Sequence, residues 1–258
     1  MSLDLIYKND KHIFDEAGDT VPFLEYPMLR KTGLVYHGFS TRLGGVSEGC
    51  YASMNLSFDR GDDPEAVREN FRRIGNAIGV NVEDMVMSKQ THTTNVRVVT
   101  EEDRGKGVVK ERDYTDVDGL VTDVRGICLV TSYADCVPLY FVDPVRNAIG
   151  LSHSGWRGTV GKIGKKTVEL MTGRFGSDPS DILACVGPSV CVDCYEVSED
   201  VVEKVREAFA PALWNRLFYK KDNGKYQLDL WKTNEAIFLE AGILPEHIAV
   251  TNVCTHCN

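Results

Sequence analysis

The sequence has no apolar stretch long enough to cross a bilayer. Its longest apolar run extends from Ile127 to Val142, and Asp135 interrupts that run. The sequence also lacks an excess of basic residues, because 29 lysines and arginines stand against 38 acidic residues and the net charge is −9. This balance argues against a surface for nucleic acid or for anionic membranes. We therefore expect a protein that works without either partner.

The start of the chain lacks an export signal. Residues 1–8 mix charged and apolar residues and contain no apolar core of a signal peptide. The eight cysteines are therefore expected to be thiols in a reducing compartment, and a cytoplasmic location is predicted. No period repeats along the chain, and no low-complexity tract divides it. We accordingly expect a single domain over residues 1–258.

Short apolar runs rich in β-forming residues alternate irregularly with helical patterns. The predicted strands cover residues 34–39, 85–87, 96–99, 120–122, 127–132, 139–142, 148–152, 182–186 and 248–253. Turn residues at 143–147 predict a hairpin over 138–153. Helices are predicted over residues 63–78, from near Gly158, from near Ser198 and over residues 230–241. This mixture favours a layered α/β or α+β domain with a mixed sheet.

His92, Cys136 and His153 are the residues best suited to chemistry. Cys136 lies at the junction between two predicted strands, and His153 ends the strand after the hairpin, so both side chains could reach one point. Two imidazoles and one thiolate form a zinc set of the catalytic type, with a free fourth position. Their separations of 44 and 17 residues match no short metal motif. The alternative is strand-end residues with no shared role.

Two arginines lie beside glycines that follow predicted strands. Arg157 belongs to a Gly-Trp-Arg-Gly segment ahead of a predicted helix, and Arg42 shortly precedes two consecutive glycines. A guanidinium at a helix N-terminus suits phosphate or carboxylate, whereas the alternative is a glycine turn with a solvated arginine. Neither segment matches a Walker A loop, which argues against a self-contained nucleoside triphosphatase.

Two Cys-x-x-Cys pairs, Cys191 with Cys194 and Cys254 with Cys257, are spaced like the halves of a zinc knuckle. The 59 residues between the pairs exceed the usual spacing of a zinc ribbon. Redox activity needs such a pair at a helix N-terminus, and neither pair clearly has that position. Structural thiols are the preferred interpretation, and a metal shared by the two pairs is left open.

Longer motifs resemble the YfiH, or laccase-domain, family from about residue 33 onward. The most specific blocks are the Ala-Asp-Cys segment that ends at Cys136 and the segment from His153 to Gly158. Further matching blocks, in the order seen in the family, lie at 39–47, 53–56, 61–63, 89–92, 116–120, 187–189, 194–197 and 254–255. Family members usually continue after the last block with a segment that carries two arginines, whereas the printed sequence stops at Asn258.

The resemblance implies a layered α/β/β/α sandwich with mixed sheets, distantly like cysteine hydrolases of the toxin-deamidase type. It implies zinc held by His92, Cys136 and His153. It implies phosphorolysis of adenosine, inosine, guanosine or methylthioadenosine, which yields the free base and a ribose 1-phosphate. The implied partners are therefore a purine nucleoside and phosphate, and a monomer or a homodimer is expected.

The resemblance also implies adenosine deamination, for which a zinc ion that lowers the pKa of water is suited. Cytidine-type deaminases use a His-x-Glu motif that this chain lacks, so Asp135 is our hypothetical proton shuttle. Arg42, Gln90 and Arg157 are the candidate residues for substrate and phosphate.

The older family name suggests a copper laccase. This chain has six histidines and no His-x-His pair, so it cannot supply a multicopper cluster, and only weak oxidation by adventitious copper is expected. A cysteine hydrolase with Cys136 as nucleophile and His153 as base is an alternative enzyme class. A ligand-binding protein with a structural metal is the non-enzymatic alternative.

Overall fold

The computed structural model describes residues 3–258. Its strands, in chain order, are β1 (Asp15–Ala17), β2 (Phe23–Glu25), β3 (Phe39–Ser40), β4 (Met85–Met87), β5 (Val96–Val98), β6 (Gly119–Thr122), β7 (Cys128–Val130), β8 (Val137–Asp143), β9 (Ala148–Ser154), β10 (Leu183–Val186), β11 (Glu196–Val197), β12 (Phe218–Lys220), β13 (Tyr226–Leu228) and β14 (Ile248–Val250). Its helices are α1 (Pro27–Arg30), α2 (Pro64–Ile78), α3 (Trp156–Val160), α4 (Ile163–Phe175), α5 (Glu199–Ala208), α6 (Trp214–Leu217) and α7 (Leu230–Glu240). Within this range no helix combines the length and the apolar character needed to span a membrane.

A six-stranded mixed sheet forms the centre of the fold, in the order β14-β10-β8-β9-β6-β5. Strands β8 and β9 pair antiparallel along all seven of their residues, which confirms the predicted hairpin. The turn between them is closed by Asp143, whose Oδ1 accepts hydrogen bonds from the N–H groups of Val145 (2.8 Å) and Arg146 (2.9 Å). Asn147 completes the turn with a φ of 53°, a conformation that asparagine tolerates well.

Strand β8 contributes to two apolar cores, because neighbouring side chains of a strand point to opposite faces of the sheet. All seven of its residues are buried. Leu139 and Phe141 pack in the core that α4 and α7 cover. Tyr140 and Val142 pack in a second core beneath β2 and α1. The central sheet is therefore covered on both faces.

Strands β4 and β7 form a separate parallel pair outside the central sheet. Val86 and Leu129 point inward and share a core with residues of the central sheet. Met85 and Met87 point outward and share a core with Phe71 of α2. The layers thus follow the order α2, small sheets, central sheet, then α4 with α7. This order confirms the expected α/β/β/α sandwich with mixed sheets.

Three of the four predicted helices are confirmed as α2, α5 and α7. Helix α2 begins after Asp63, whose Oδ1 accepts a hydrogen bond from the N–H of Glu65 (3.0 Å), and it ends before Gly79 at a φ of 92°. The helix predicted from near Gly158 is instead divided. Lys162 adopts a φ of 58° and separates α3 from α4.

The predicted strand over residues 34–39 is wrong over most of its length. Leu34 and Tyr36 are 46% and 77% exposed, so this apolar run does not face a core. Of the predicted segment only Phe39 lies in a strand, namely β3 (Phe39–Ser40), which pairs with β2. The small sheets β1-β2-β3 and β11-β13-β12 were largely missed, because strands of two or three residues are too short to show an alternation.

His37 gives a prediction of how the stability of the protein depends on pH. Its Nε2 accepts a hydrogen bond from the N–H of Tyr26 (2.7 Å), and only an unprotonated nitrogen can do this. Burial and the nearby Arg30 guanidinium lower the pKa of His37 from 6.5 to about 4. Because the folded pKa is the lower one, the stabilisation is complete above about pH 6.5 and is lost as the pH falls towards about 4.

The full pKa shift corresponds to about 3 kcal/mol, and partial solvent access of the ring reduces this to about 2 kcal/mol. We expect the free energy of unfolding, measured by urea titration, to fall less between about pH 7 and about pH 4 in His37→Gln than in the wild type. His12→Gln is the control, since the His12 side chain is 74% exposed. The same pH dependence in the wild type and in His37→Gln would contradict this assignment.

Candidate active site

His92, Cys136 and His153 meet at one end of the central sheet. Their ligand atoms all lie within 4.8 Å of one another. Sγ of Cys136 is 3.9 Å from Nε2 of His92, and the two imidazole rings meet edge to face with their centroids 4.9 Å apart. These residues therefore form a cluster, as a shared role would require.

Three different segments supply the cluster. Cys136 immediately precedes β8, and His153 pairs with Pro138 near the end of β9, so the hairpin delivers both side chains to the same edge. His92 comes from the loop after β4, where its φ of 64° turns the backbone. His153 is 4% exposed, Cys136 is half-buried and His92 is exposed. The cluster is therefore open to solvent on the side of His92.

Asp118, which the sequence analysis gave no role, supports the cluster from inside the protein. Its carboxylate is fully buried, and Oδ1 lies 2.9 Å from Nδ1 of His153. The same carboxylate accepts hydrogen bonds from the N–H groups of Thr91 (3.1 Å), His92 (3.0 Å) and Thr93 (2.9 Å). One buried side chain thus fixes the ring of one histidine and the backbone of the other. Since Nδ1 of His153 is occupied, Nε2 is the nitrogen left for a ligand.

The charges of the cluster follow from these contacts. Burial raises the pKa of Asp118, but the hydrogen bonds from His153, Thr93 and Thr91 outweigh it and lower the pKa to about 2. Burial lowers the pKa of His153, but its hydrogen bonds with Asp118 and Cys136 prevail and raise the pKa to about 9. Partial burial and the neighbouring His153 lower the pKa of His92. A cation bound here would compete with the proton of His153.

The donor atoms fit a metal that prefers tetrahedral coordination. Two imidazole nitrogens and one thiolate are three ligands of a catalytic zinc site, which keeps its fourth position open. Asp118 contacts His153 in the way in which a carboxylate commonly orients a metal-ligating histidine and fixes its tautomer.

Asp135 and Gln90 lie beside the cluster and already have protein partners. Oδ1 of Asp135 accepts a hydrogen bond from Oγ1 of Thr255 (2.6 Å), and its carbonyl accepts one from the N–H of Val190 (3.0 Å). The side-chain amide of Gln90 donates to the carbonyl of Ser132 (2.7 Å) and accepts from the N–H of the same residue (2.8 Å). Gln90 thus ties the loop of His92 to the segment that leads to Cys136.

The two candidate arginines lie in different places in the structure. Arg157 is exposed, its guanidinium lies 4.3 Å from the ring centroid of Trp156, and its charge contributes to the lowered pKa of His92. Arg42 is exposed and lines a cavity of about 1340 Å³ between the layers of the sandwich. The wall of that cavity extends to Asp135, one residue before Cys136. Arg157 is therefore near enough to His92 to affect its pKa, whereas Arg42 lines a cavity whose wall includes Asp135 but not His92, Cys136 or His153.

Gly155 allows the cluster to pack closely. A Cβ on this residue would lie 3.0 Å from Sγ of Cys136 and 3.0 Å from Cδ2 of His92. We expect Gly155→Ala to displace both ligands and to lower metal affinity and turnover by about 10–100-fold. Metal titration and initial rates measure the two effects.

Gly173→Ala in α4 is the matched control, because an added Cβ there would meet no neighbouring atom of residues 3–258 within 4 Å. This control variant should retain wild-type rates. Wild-type metal affinity in Gly155→Ala would show that the cluster tolerates the extra methyl group, contrary to the expectation.

The fold and the site together define a layered α/β/β/α protein with a histidine–cysteine–histidine cluster at the edge of its central sheet. The chain belongs to the family described as multi-copper polyphenol oxidoreductase laccase, whose model matches residues 36–258. The family assignment made from the sequence motifs is thereby confirmed.

Known proteins of this family resemble the chain over most of its length. Purine nucleoside phosphorylase YlmD of Bacillus subtilis is 37% identical over 225 residues, which cover 86% of this chain and 79% of that protein. Adenosine deaminase RL5, from an unknown prokaryotic organism, is 37% identical and covers 85% of this chain and 84% of its own. The crystal structure of the hypothetical protein YfiH of Bacillus licheniformis matches with a TM-score of 0.89 at 32% identity, over 96% of this chain and 91% of that one. The expectation of an enzyme is confirmed.

Proposed function

We propose that this chain is a zinc-dependent purine nucleoside phosphorylase and that residues 1–258 act as one catalytic domain. The observation that carries the proposal is the cluster of His92, Cys136 and His153, which is open to solvent and is supported by Asp118. The names of relatives such as YlmD support a purine nucleoside and phosphate as substrates. When bound, zinc would supply Lewis acidity at an open coordination position.

Phosphorolysis breaks the bond between C1′ of the sugar and the purine nitrogen and forms a bond from C1′ to a phosphate oxygen. The purine leaves with a proton, and phosphate must be held close to the sugar. Arg157 is exposed beside His92 and can present its guanidinium fork to that phosphate. Helix α3 has only five residues, so we assign phosphate binding to the arginine side chain and not to the helix end.

The cavity lined by Arg42 is the proposed nucleoside site. Its volume of about 1340 Å³ exceeds the roughly 300–1,000 Å³ of most small-molecule pockets, so a nucleoside fits with room to spare. Arg42 and Asp135 supply charged groups to its wall. In this proposal Gln90 acts indirectly, because its amide is used to hold the segment before Cys136.

The proposed function is tested by following adenosine chromatographically with and without phosphate. We expect adenine and ribose 1-phosphate only when phosphate is present, and no turnover after chelation. Arg157→Ala should raise the KM for phosphate by about tenfold or more, whereas the exposed Arg174→Ala in α4 should not. Adenine release at the same rate without phosphate, or no turnover by the zinc-loaded protein, would overturn the proposal.

Adenosine deamination is proposed as a second activity, with the name of RL5 as its support. Asp135 is the proposed proton shuttle, because its exposed carboxylate lies next to Cys136 and borders the cavity. We expect Asp135→Asn to lower the formation of inosine in the absence of phosphate by about 100-fold, which is typical of a lost general acid or base. Full deaminase activity in a variant that retains its metal would exclude Asp135 from this role.

A cysteine hydrolase is the second candidate function, and one observation favours it. Asp118, His153 and Cys136 stand in the order of an orienting acid, a base and a nucleophile. The two candidates differ in their cofactor: chelation should abolish phosphorolysis, whereas alkylation of Cys136 should abolish hydrolysis even in protein without metal.

Phenol oxidation that appears only on addition of copper would indicate adventitious binding of copper.

A further inference from the structure

The two Cys-x-x-Cys pairs come together at a second site. The Sγ atoms of Cys191, Cys194, Cys254 and Cys257 all lie within 4.8 Å of one another. The first pair occupies a tight turn in which the N–H of Cys194 donates to the carbonyl of Cys191 (3.1 Å). The second pair follows β14, and a bridge between Ser189 and Cys254 aligns the two segments. The long separation in sequence is therefore closed by the fold.

The distances within this four-cysteine cluster fit metal ligands and do not fit disulfides. All eight cysteines of the chain are free thiols, and Sγ of Cys194 is 3.6 Å from Sγ of Cys257. A disulfide bond is about 2.05 Å long. Four thiolates at about 2.3 Å from a tetrahedral zinc ion lie about 3.8 Å from one another. The observed separation is close to this second value.

The surroundings of the four-cysteine cluster suit a site of negative charge. The N–H of Cys191 donates a hydrogen bond to Sγ of Cys254 (3.2 Å) across the two segments. Nζ of Lys8 lies 3.6 Å from Oδ2 of Asp193, the residue before Cys194, which places a cation beside the cluster. Four thiolates and one divalent ion carry a net charge of −2. Cys191 and Cys254 are buried, so water has little access to these two sulfurs.

We propose that Cys191, Cys194, Cys254 and Cys257 bind one structural zinc ion, distinct from the metal of the His92, Cys136 and His153 cluster. A set of four thiolates is complete, with no position left for substrate, so this ion has a structural role. Tetrahedral sulfur ligands select zinc or iron, and we assign zinc, which needs no redox chemistry to hold two loops together.

The proposed zinc site acts on the active site through Asp135. Val190, next to Cys191, donates its N–H to the carbonyl of Asp135, and Thr255, next to Cys254, donates its hydroxyl to the carboxylate of Asp135. Both contacts adjoin zinc ligands and both hold the residue before Cys136. The four cysteines are therefore positioning residues, which order one wall of the candidate active site.

The test is the zinc content of the full chain, measured by mass spectrometry after purification without chelators. In a Cys136→Ser background, which removes one ligand of the first cluster, we expect one tightly held zinc per chain. Adding Cys194→Ser and Cys257→Ser should remove that zinc, whereas adding Cys50→Ser, at an exposed cysteine outside both clusters, should not. Because Cys136→Ser already disables the first cluster, the outcome does not depend on the proposed phosphorylase activity.

Two further measurements do not require the variants with Cys194→Ser and Cys257→Ser to fold. Cobalt substitution should give a strong sulfur-to-cobalt absorption that persists in Cys136→Ser, since four thiolates remain. Alkylation followed by mass spectrometry should find these four thiols protected until zinc is chelated. Iron in the site, a disulfide between Cys194 and Cys257, or thiols that react equally fast with and without chelator would each overturn the proposal.

Discussion

Replacing His153 with alanine is expected to lower adenosine turnover by about 10³-fold or more. The substitution removes one of the three proposed metal ligands. A bound metal contributes several kcal/mol to the stabilisation of developing charge, and about 1.4 kcal/mol corresponds to a tenfold change in rate. It also leaves the buried carboxylate of Asp118 without its imidazole partner. The effect should appear as a fall in kcat/KM together with a loss of metal from the protein.

A second variant separates these two effects. His153→Gln keeps an N–H donor that can face Asp118 but removes the imidazole, so it should be better folded than His153→Ala and equally inactive. His12→Ala is the control, since His12 is an exposed histidine outside the cluster. Wild-type kcat/KM and metal content in His153→Gln would remove His153 from the metal site.

Asp118→Ala should produce the largest loss of stability among the variants considered. The carboxylate is fully buried and accepts hydrogen bonds from three backbone N–H groups and from His153. Removing one partner of a buried charged pair costs about 3–5 kcal/mol, and we expect a loss of this size because His153 and the backbone of residues 91–93 lose their acceptor. For a chain of this size the loss lowers Tm by about 10 °C, which differential scanning calorimetry measures.

The isosteric Asp118→Asn distinguishes the electrostatic role from the packing role. It keeps the shape of the side chain and one acceptor oxygen, but it removes the negative charge that orients and polarises His153. Loss of such a carboxylate lowers metal affinity by about 10–100-fold. The control is Asp123→Ala, at an exposed residue directly after β6, the strand that Asp118 precedes. This variant should change neither Tm nor metal affinity. Wild-type metal affinity in Asp118→Asn would show that the charge is not needed.

Much of the fold could be predicted because its main elements are long and carry a repeating pattern. Helix α2 has a capping Asp63, an apolar stripe and a terminal Gly79, so each of its local features points to the same answer. The break at Lys162 was not predicted, although Gly161, which ends α3, was an available signal. The short outer strands are held by packing against other layers, and their own sequences carry too little pattern.

The sequence singles out the three residues that meet in the cluster but not the residue that supports them. His92, Cys136 and His153 belong to residue types that bind metals, so they stand out as candidates in the sequence. Asp118 stands in an acidic surface-like segment and becomes buried only because β6 begins directly after it. An aspartate immediately before an apolar strand was the available signal. The role of Gln90 depends on Ser132, 42 residues away, and no local pattern reports such a contact.

The turn at Asp143–Asn147 decides which side chains enter the active site, although it lies at the opposite end of the β8–β9 hairpin. Side chains alternate between faces along a strand, so a pairing offset by one residue would place a serine, Ser152 or Ser154, where His153 now stands. The same offset would turn the other side chains of β9 to the opposite faces of the central sheet. Fidelity of strand alignment during folding therefore determines which side chains stand beside Cys136. A misaligned hairpin would yield a chain with Cys136 in place and without His153 beside it.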